Sequence, residues 1–221
     1  MCKFNKFEDV NNFKWKYLKE AEYCGKYDMV KLAPYTSEKM PKNLLAFHEL
    51  SASKELSQVW FHFYIDDYHF ERLWNCPEKY VDRLTSCDGG FSTDFSMLLD
   101  MPRSQQIWNC WRNRVMAYWM QKQGIDVIPN VGWSDENSLE WAFDGIPEKS
   151  VLSITTQGCL RDYVCKQSLV NGLHRLIREK NPLKIIVYGK FPDEWKDRFS
   201  VPIVSYKSFS EMKWGDGNGQ R

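Results

Sequence analysis

Three aspartates define the chemistry this sequence can offer: Asp66 and Asp67 in YIDDYHF, and Asp94 in GFSTDF. Carboxylates are hard oxygen donors suited to Mg²⁺ or Mn²⁺. Held together in a pocket, they can also divide the work of general acid and general base. His62 and Tyr64 stand at alternate positions just before them, and Asn130 (DVIPNV) and Gln157 (ITTQGC) close two later segments. Arg112, in WRNR, is the candidate partner for an anionic ligand, because a guanidinium matches phosphate and carboxylate geometry. A purely structural reading competes at each position. Aspartates after strands cap the helices that follow, and Arg112 with Arg114 would then lie on a solvated helix face. His62 and His69 sit at opposite sides of a strand end, and neither H-x-H nor H-x-x-x-H occurs, so the zinc pattern is missing.

The elements that position these residues follow from periodicity. From about residue 55, short β-rich runs alternate with helical runs, the pattern of βα units and a parallel sheet. Strands are expected at 59–65, 90–95, 126–131, 151–156, 183–188 and 201–205. A long helix is expected at 102–122, another at 163–179, and short ones at 136–143 and 193–199. Trp108, Trp111 and Trp119 recur at helical spacing and are expected to pack the long helix onto the sheet.

Parallel strands covered on both faces read as continuous apolar runs, and these strands do not. Side chains alternate faces along a strand. His62, Tyr64 and Asp66 therefore oppose Phe61, Phe63 and Ile65, and Ser153, Thr155 and Gln157 oppose Leu152, Ile154 and Thr156. Ser92 and Asp94 likewise oppose Phe91, Thr93 and Phe95. The polar set should face a barrel interior or a crevice. Its last members, Asp66, Asp94, Asn130 and Gln157, fall at the C-terminal strand ends, where parallel α/β proteins place their sites. The expected fold is α/β, a mainly parallel sheet of about five to seven strands, curled into a small or incomplete (βα) barrel. Residues 1–53, polar and interrupted by Pro34 and Pro41, read as an N-terminal extension or lid; 54–208 as the α/β domain; 209–221 as a flexible tail.

Composition narrows the function classes. Lysine and arginine number 30 against 29 acidic residues, a net charge of +1, which removes the bulk electrostatic case for a polyanionic partner. No apolar run is long enough to span a bilayer and Met1–Val10 has no apolar signal core, so the expectation is a cytoplasmic protein that meets no membrane. The seven cysteines form no C-x-x-C pair and read as free thiols. Dinucleotide, P-loop and serine-elbow motifs do not occur.

The segments VWFHFYIDDYHFERLWNCPEKY, GGFSTDFSMLLDMP, QIWNCWRNRVMAYWMQKQGIDVIPNVGW, FDGIPEKSVLSITTQGC and IIVYGK resemble the family known as domain of unknown function 4417. Its members are uncharacterised proteins of bacteria, bacteriophages and other mobile elements. The resemblance runs over roughly residues 41–190 and implies a small α/β protein of phage or mobile-element origin. It implies no activity. Two readings follow from the residues. One is a small-molecule or phosphate-bearing ligand site, hydrolytic or phosphate-directed, built on Asp66, Asp67 and Asp94. The other is a nonenzymatic accessory protein that binds a host protein or nucleic acid in replication or counter-defence.

Overall fold

A computed structural model describes residues 14–214. Seven of its strands are parallel and follow one another in strict chain order. They are β3 (Asn43–Ala46), β4 (Val59–His62), β5 (Gly89–Phe91), β6 (Val127–Ile128), β7 (Val151–Thr155), β8 (Lys184–Tyr188) and β9 (Ile203–Tyr206). The first four form one sheet and the last three a second. An isolated parallel bridge between Asn130 and Ser153 joins them, with the Val131 N–H donating to the Ser153 carbonyl at 2.8 Å. A short antiparallel pair, β1 (Tyr23–Cys24) and β2 (Met29–Val30), precedes them.

Sequential parallel order is the topology that curls a sheet toward a barrel. Here no ladder joins the outer strands β3 and β9 among the described residues. The Tyr206 hydroxyl instead donates to the Pro41 carbonyl at 2.9 Å, and Tyr206, like Met40 and Leu44, packs against the cluster that includes Tyr35 and Trp60. The result is an incomplete βα barrel. Its interior holds Trp60, Tyr64, Phe91, Ile128, Val151, Ile186 and Tyr188. Register explains how they fit: Trp60 pairs with Gly89, where a Cβ would lie 2.8 Å from the indole. Only glycine leaves that ring its space. The outer faces of the same strands, Phe61, Phe63, Leu152, Ile154, Ile185 and Val187, pack against helices and loops.

Two long helices cover that outer face: α3 (Arg103–Lys122) links β5 to β6, and α4 (Tyr163–Lys180) links β7 to β8. Asp162 caps α4 by accepting the Cys165 N–H at 2.9 Å, and Asn181 ends it in the left-handed region. Shorter helices α1 (Glu71–Asn75), α2 (Val81–Thr85) and α5 (Phe209–Trp214) and several 3₁₀ turns complete the chain.

The structure departs from the sequence reading in four places. The sheet begins at β3, inside the segment expected as an extension, because NLLA pairs along the edge of β4. Residues 209–214, expected in a flexible tail, form α5, started by Ser208, whose N–H and hydroxyl both donate to Glu211; residues 215–221 lie outside the described part. Trp119 is buried, but Trp108 is 43% exposed and stacks on Trp111 with ring centres 5.1 Å apart. The buried side of α3 also carries polar residues, Gln106, Asn109, Arg112, Asn113 and Arg114, beside apolar Cys110, Val115, Met116, Ala117, Trp119 and Met120. Both arginines are thus buried rather than solvated, and Arg114 donates to the carbonyls of Ala142 and Asp144 at 2.6 and 2.9 Å.

Candidate functional site

Every strand that reaches the open end of the barrel gives way to a loop, and two cavities of about 280 Å³ each lie among those loops. Such volumes sit at the small end of the range of ligand sites, ~300–1,000 Å³. The first is lined by Asp94 and the loop after it, by Val131–Ser134, by Thr155 and Gln157–Cys159, and by Cys165 and Leu169 of α4. The second is lined by His48, His62, Tyr64, Asp66, His69 and Tyr188, with α5 over it. Gln157 borders both.

A hydrogen-bonded chain connects the two. The Tyr64 hydroxyl, on the second cavity, donates to Asn130 Oδ1 at 3.0 Å, and Asn130 Nδ2 donates to Asp94 Oδ1 at 2.7 Å. The bridge that joins the two sheets sets Asn130 between them, and its own N–H donates to Ser92 Oγ at 2.7 Å. Asp94 is half-buried. Burial, with the nearby Asp67 charge added and only Asn130 opposing, pushes its carboxyl up to about 7. It therefore exchanges its proton near neutrality. Burial also holds the Tyr64 phenol protonated, far above its usual range.

The second cavity holds the opposite case. Burial, aided by His48, pulls His62 down to about 3, so its ring is neutral. Its Nδ1 accepts the Tyr64 N–H at 3.3 Å, and its ring lies 4.5 Å from that of Tyr188, which in turn stacks on Tyr64 at 4.8 Å.

The remaining candidates separate. Asp67 accepts from the Ser96 hydroxyl at 2.8 Å and from its N–H, so it ties the loop after β4 to the loop after β5. Asp66 makes no capping bond and lines the second cavity, apart from Asp94. Arg112 lines neither: its guanidinium is held by Glu71 at 2.8 Å and Asn109 at 2.7 Å and lies 3.6 Å above Phe95. Among the described residues no lysine or arginine lines either cavity. Among them, too, no three His, Cys, Asp or Glu side chains are grouped to hold a metal ion. Cys159, which lines the first cavity, stands out in the sequence as the cysteine that follows a strand, whereas the sequence reading missed Gly132, Trp133 and Cys165 on the first cavity and His48 on the second. These lie on loops or helix starts, where alternation along strands carries no signal.

Comparison with known proteins places this architecture. The chain is 33% identical over 181 residues to the "Gene 1 protein" of Mycobacterium phage D29, an alignment covering 80% of this chain and 65% of that protein. It is 35% identical over 162 residues to the "Gene 1 protein" of Mycobacterium phage L5, covering 72% and 70%. The chain thus spans about two thirds of the length of these phage relatives. No solved structure matches it significantly. The family described as Domain of unknown function (DUF4417) matches residues 21–207, a longer stretch than the motifs alone indicate, and the chain belongs to that family.

Proposed function

We propose that this phage-family protein binds a small polar group in the first cavity and that Asp94 is the proton-exchanging residue of that site. The observation that supports it is a carboxyl at a cavity wall, held by a single amide donor and poised near neutral pH. General acid–base chemistry works best when the catalytic group titrates near the working pH, so a hydrolytic step fits. A phosphate-directed step fits less well, because the lining residues include no cation and Arg112 is already engaged by Glu71. The site would act in the cytoplasm of an infected cell: all six described cysteines are free thiols, as a reducing compartment keeps them. No described helix is long and apolar enough to cross a membrane.

The test is Asp94→Asn in the whole protein, followed by thermal unfolding and by the protein's effect on the host. The variant should melt no lower than the wild type and should lose the effect. Retention of the full effect would remove Asp94 from function. Melting series with Mg²⁺ or Mn²⁺ run alongside, since a metal bound through Asp94 would raise the wild-type midpoint more than the variant's.

The accessory-protein reading draws on a different observation. Tyr68, Leu98, Leu99, Tyr163, Val164 and Phe209 are exposed large apolar side chains on loops and helix starts that follow strands. Apolar surface of this kind favours a protein partner over duplex nucleic acid.

A further inference from the structure

The first cavity is a carboxylate in an apolar sleeve. Met97, Leu98, Leu99, Val131, Trp133 and Leu169 contribute apolar wall, and Asp94 is its single carboxylate. One Asp94 oxygen accepts from Asn130, and the other has no donor among the described residues. We propose that this cavity binds a protonated amine or guanidinium carried on an aliphatic stem, with the cationic head against Asp94 and the stem along the apolar wall. This rests on the reading of Asp94 given above and names the ligand class of that site.

Charge and shape select this chemistry over its rivals. An anion would meet a carboxylate with no lining cation to offset it. A neutral apolar group would bury the open Asp94 oxygen without a donor, and an unpaired polar atom is costly. A methylene stem ending in a cation satisfies both surfaces, as lysine and arginine side chains do when their stems run along apolar walls. The apolar surface also continues outward: Leu98 and Leu99 are 57% and 43% exposed, and Tyr163 and Val164, at the start of α4, are 78% and 60% exposed. The same head and stem are found in free alkylamines and in the basic side chains of polypeptides, and the experiment separates those sources.

The titratable groups facing Asp94 are Asp67, Tyr64 and Cys159, with Cys165 further along the wall. The Cys159 thiol is pushed up to about 11 by burial and Tyr64 is held protonated, so neither changes charge near neutrality. Asp67, also raised by burial, is engaged by Ser96 and does not line the cavity, so Asp94 governs the pH response. Binding of n-butylamine and n-butylguanidine is measured by calorimetry or chemical-shift perturbation, with butanol and butyrate as controls. Since Asp94 ionises near 7, the cations should bind about tenfold tighter at pH 8 than at pH 6, and butyrate should not bind. Asp94→Asn should remove the pH dependence. Gly132→Val should weaken binding while leaving the carboxyl in place, because a Cβ there would press on Met97 Cε (3.2 Å) and lie in van der Waals contact with Asp94 Oδ1 (3.7 Å), narrowing the cavity.

A lysine-centred peptide with apolar flanks binding much more tightly than n-butylamine would assign the source to a polypeptide. Equal affinity would assign it to a free amine. Butanol binding as well as the amine, or cation binding unaffected by Asp94→Asn and by Gly132→Val, would overturn the proposal. Loss of the host effect in Asp94→Asn without any amine binding would overturn this ligand class alone and leave the acid–base site standing.

Discussion

Asp94 and His62 stand at neighbouring strand ends, each on its own cavity, and burial neutralises both with opposite consequences for stability. Asp94 is raised from 3.8 to about 7. Its folded form keeps a proton that the unfolded chain releases, so its contribution is fully present below about pH 4 and is lost as pH rises through about 7. His62 is lowered from 6.5 to about 3. Its folded form refuses a proton that the unfolded chain takes up, so its contribution is present above about pH 6.5 and is lost as pH falls through about 3. Between these limits the folded protein holds one proton on the acid and the unfolded chain holds one on the base. The two slopes cancel. Two groups that the fold keeps neutral over this pH range can thus sit at a ligand site without making the fold steeply sensitive to pH.

The largest expected effect comes from breaking that balance one side at a time. Over pH 4 to 7 each slope is worth at most about 3–4 kcal/mol, because a tenfold change in proton affinity corresponds to ~1.4 kcal/mol and cavity water solvates the carboxyl in part. Asp94→Asn should remove the falling slope, so its stability relative to wild type climbs as pH rises from 4 to 7. His62→Gln should do the reverse, gaining on wild type as pH falls. Denaturant unfolding at several pH values reads both. Parallel curves for wild type and the two variants would mean that neither group is buried in the state that matters.

Much of this is legible in the sequence, and the reason is period two. Alternation of His62 and Tyr64 with Phe61 and Phe63 separates the inner and outer faces of this segment, and three of the four polar residues expected at strand ends, Asp66, Asp94 and Gln157, line a cavity, while Asn130 bonds Asp94 and Tyr64 between them. Alternation stops where a strand stops, however. β4 ends at His62 and β5 at Phe91, so Asp66 and Asp94 follow loop backbone and reach different cavities. Arg112 escapes a sequence reading for a related reason. Helical spacing locates a face but not its neighbours, and only the fold shows Glu71 and Asn109 waiting for the guanidinium. The edge strand β3 is invisible because Asn43–Ala46 is too short to show a pattern.

A smaller effect should follow from cutting the chain between the cavities. Tyr64→Phe takes the donor from Asn130 Oδ1 and leaves a buried acceptor unpaired, which costs about 1–2 kcal/mol. It should also loosen the amide that donates to Asp94, so the Asp94 carboxyl, followed by carbon-detected NMR, should titrate higher than in the wild type. An unchanged Asp94 titration would show that Asn130 is held by Ser92 and the sheet bridge alone.

The smallest expected effect on stability is at Gln157, the exposed residue that borders both cavities. Its backbone N–H donates to Thr155 Oγ1 at 3.1 Å, and truncation of the side chain leaves that bond in place. Gln157→Ala should therefore change stability by no more than ~0.5 kcal/mol, as for other surface substitutions. Its effect on titration should be larger, because both shifts arise mainly from exclusion of water. If Gln157 is the partition that keeps water from each cavity, its loss should move the two groups together toward their ordinary values, Asp94 downward and His62 upward. A shift at Asp94 alone would mean that the second cavity is sealed by α5 and Tyr188, whose hydroxyl accepts the Phe209 N–H at 3.1 Å. The molecule would then pair an open acid with a closed base rather than two halves of one site.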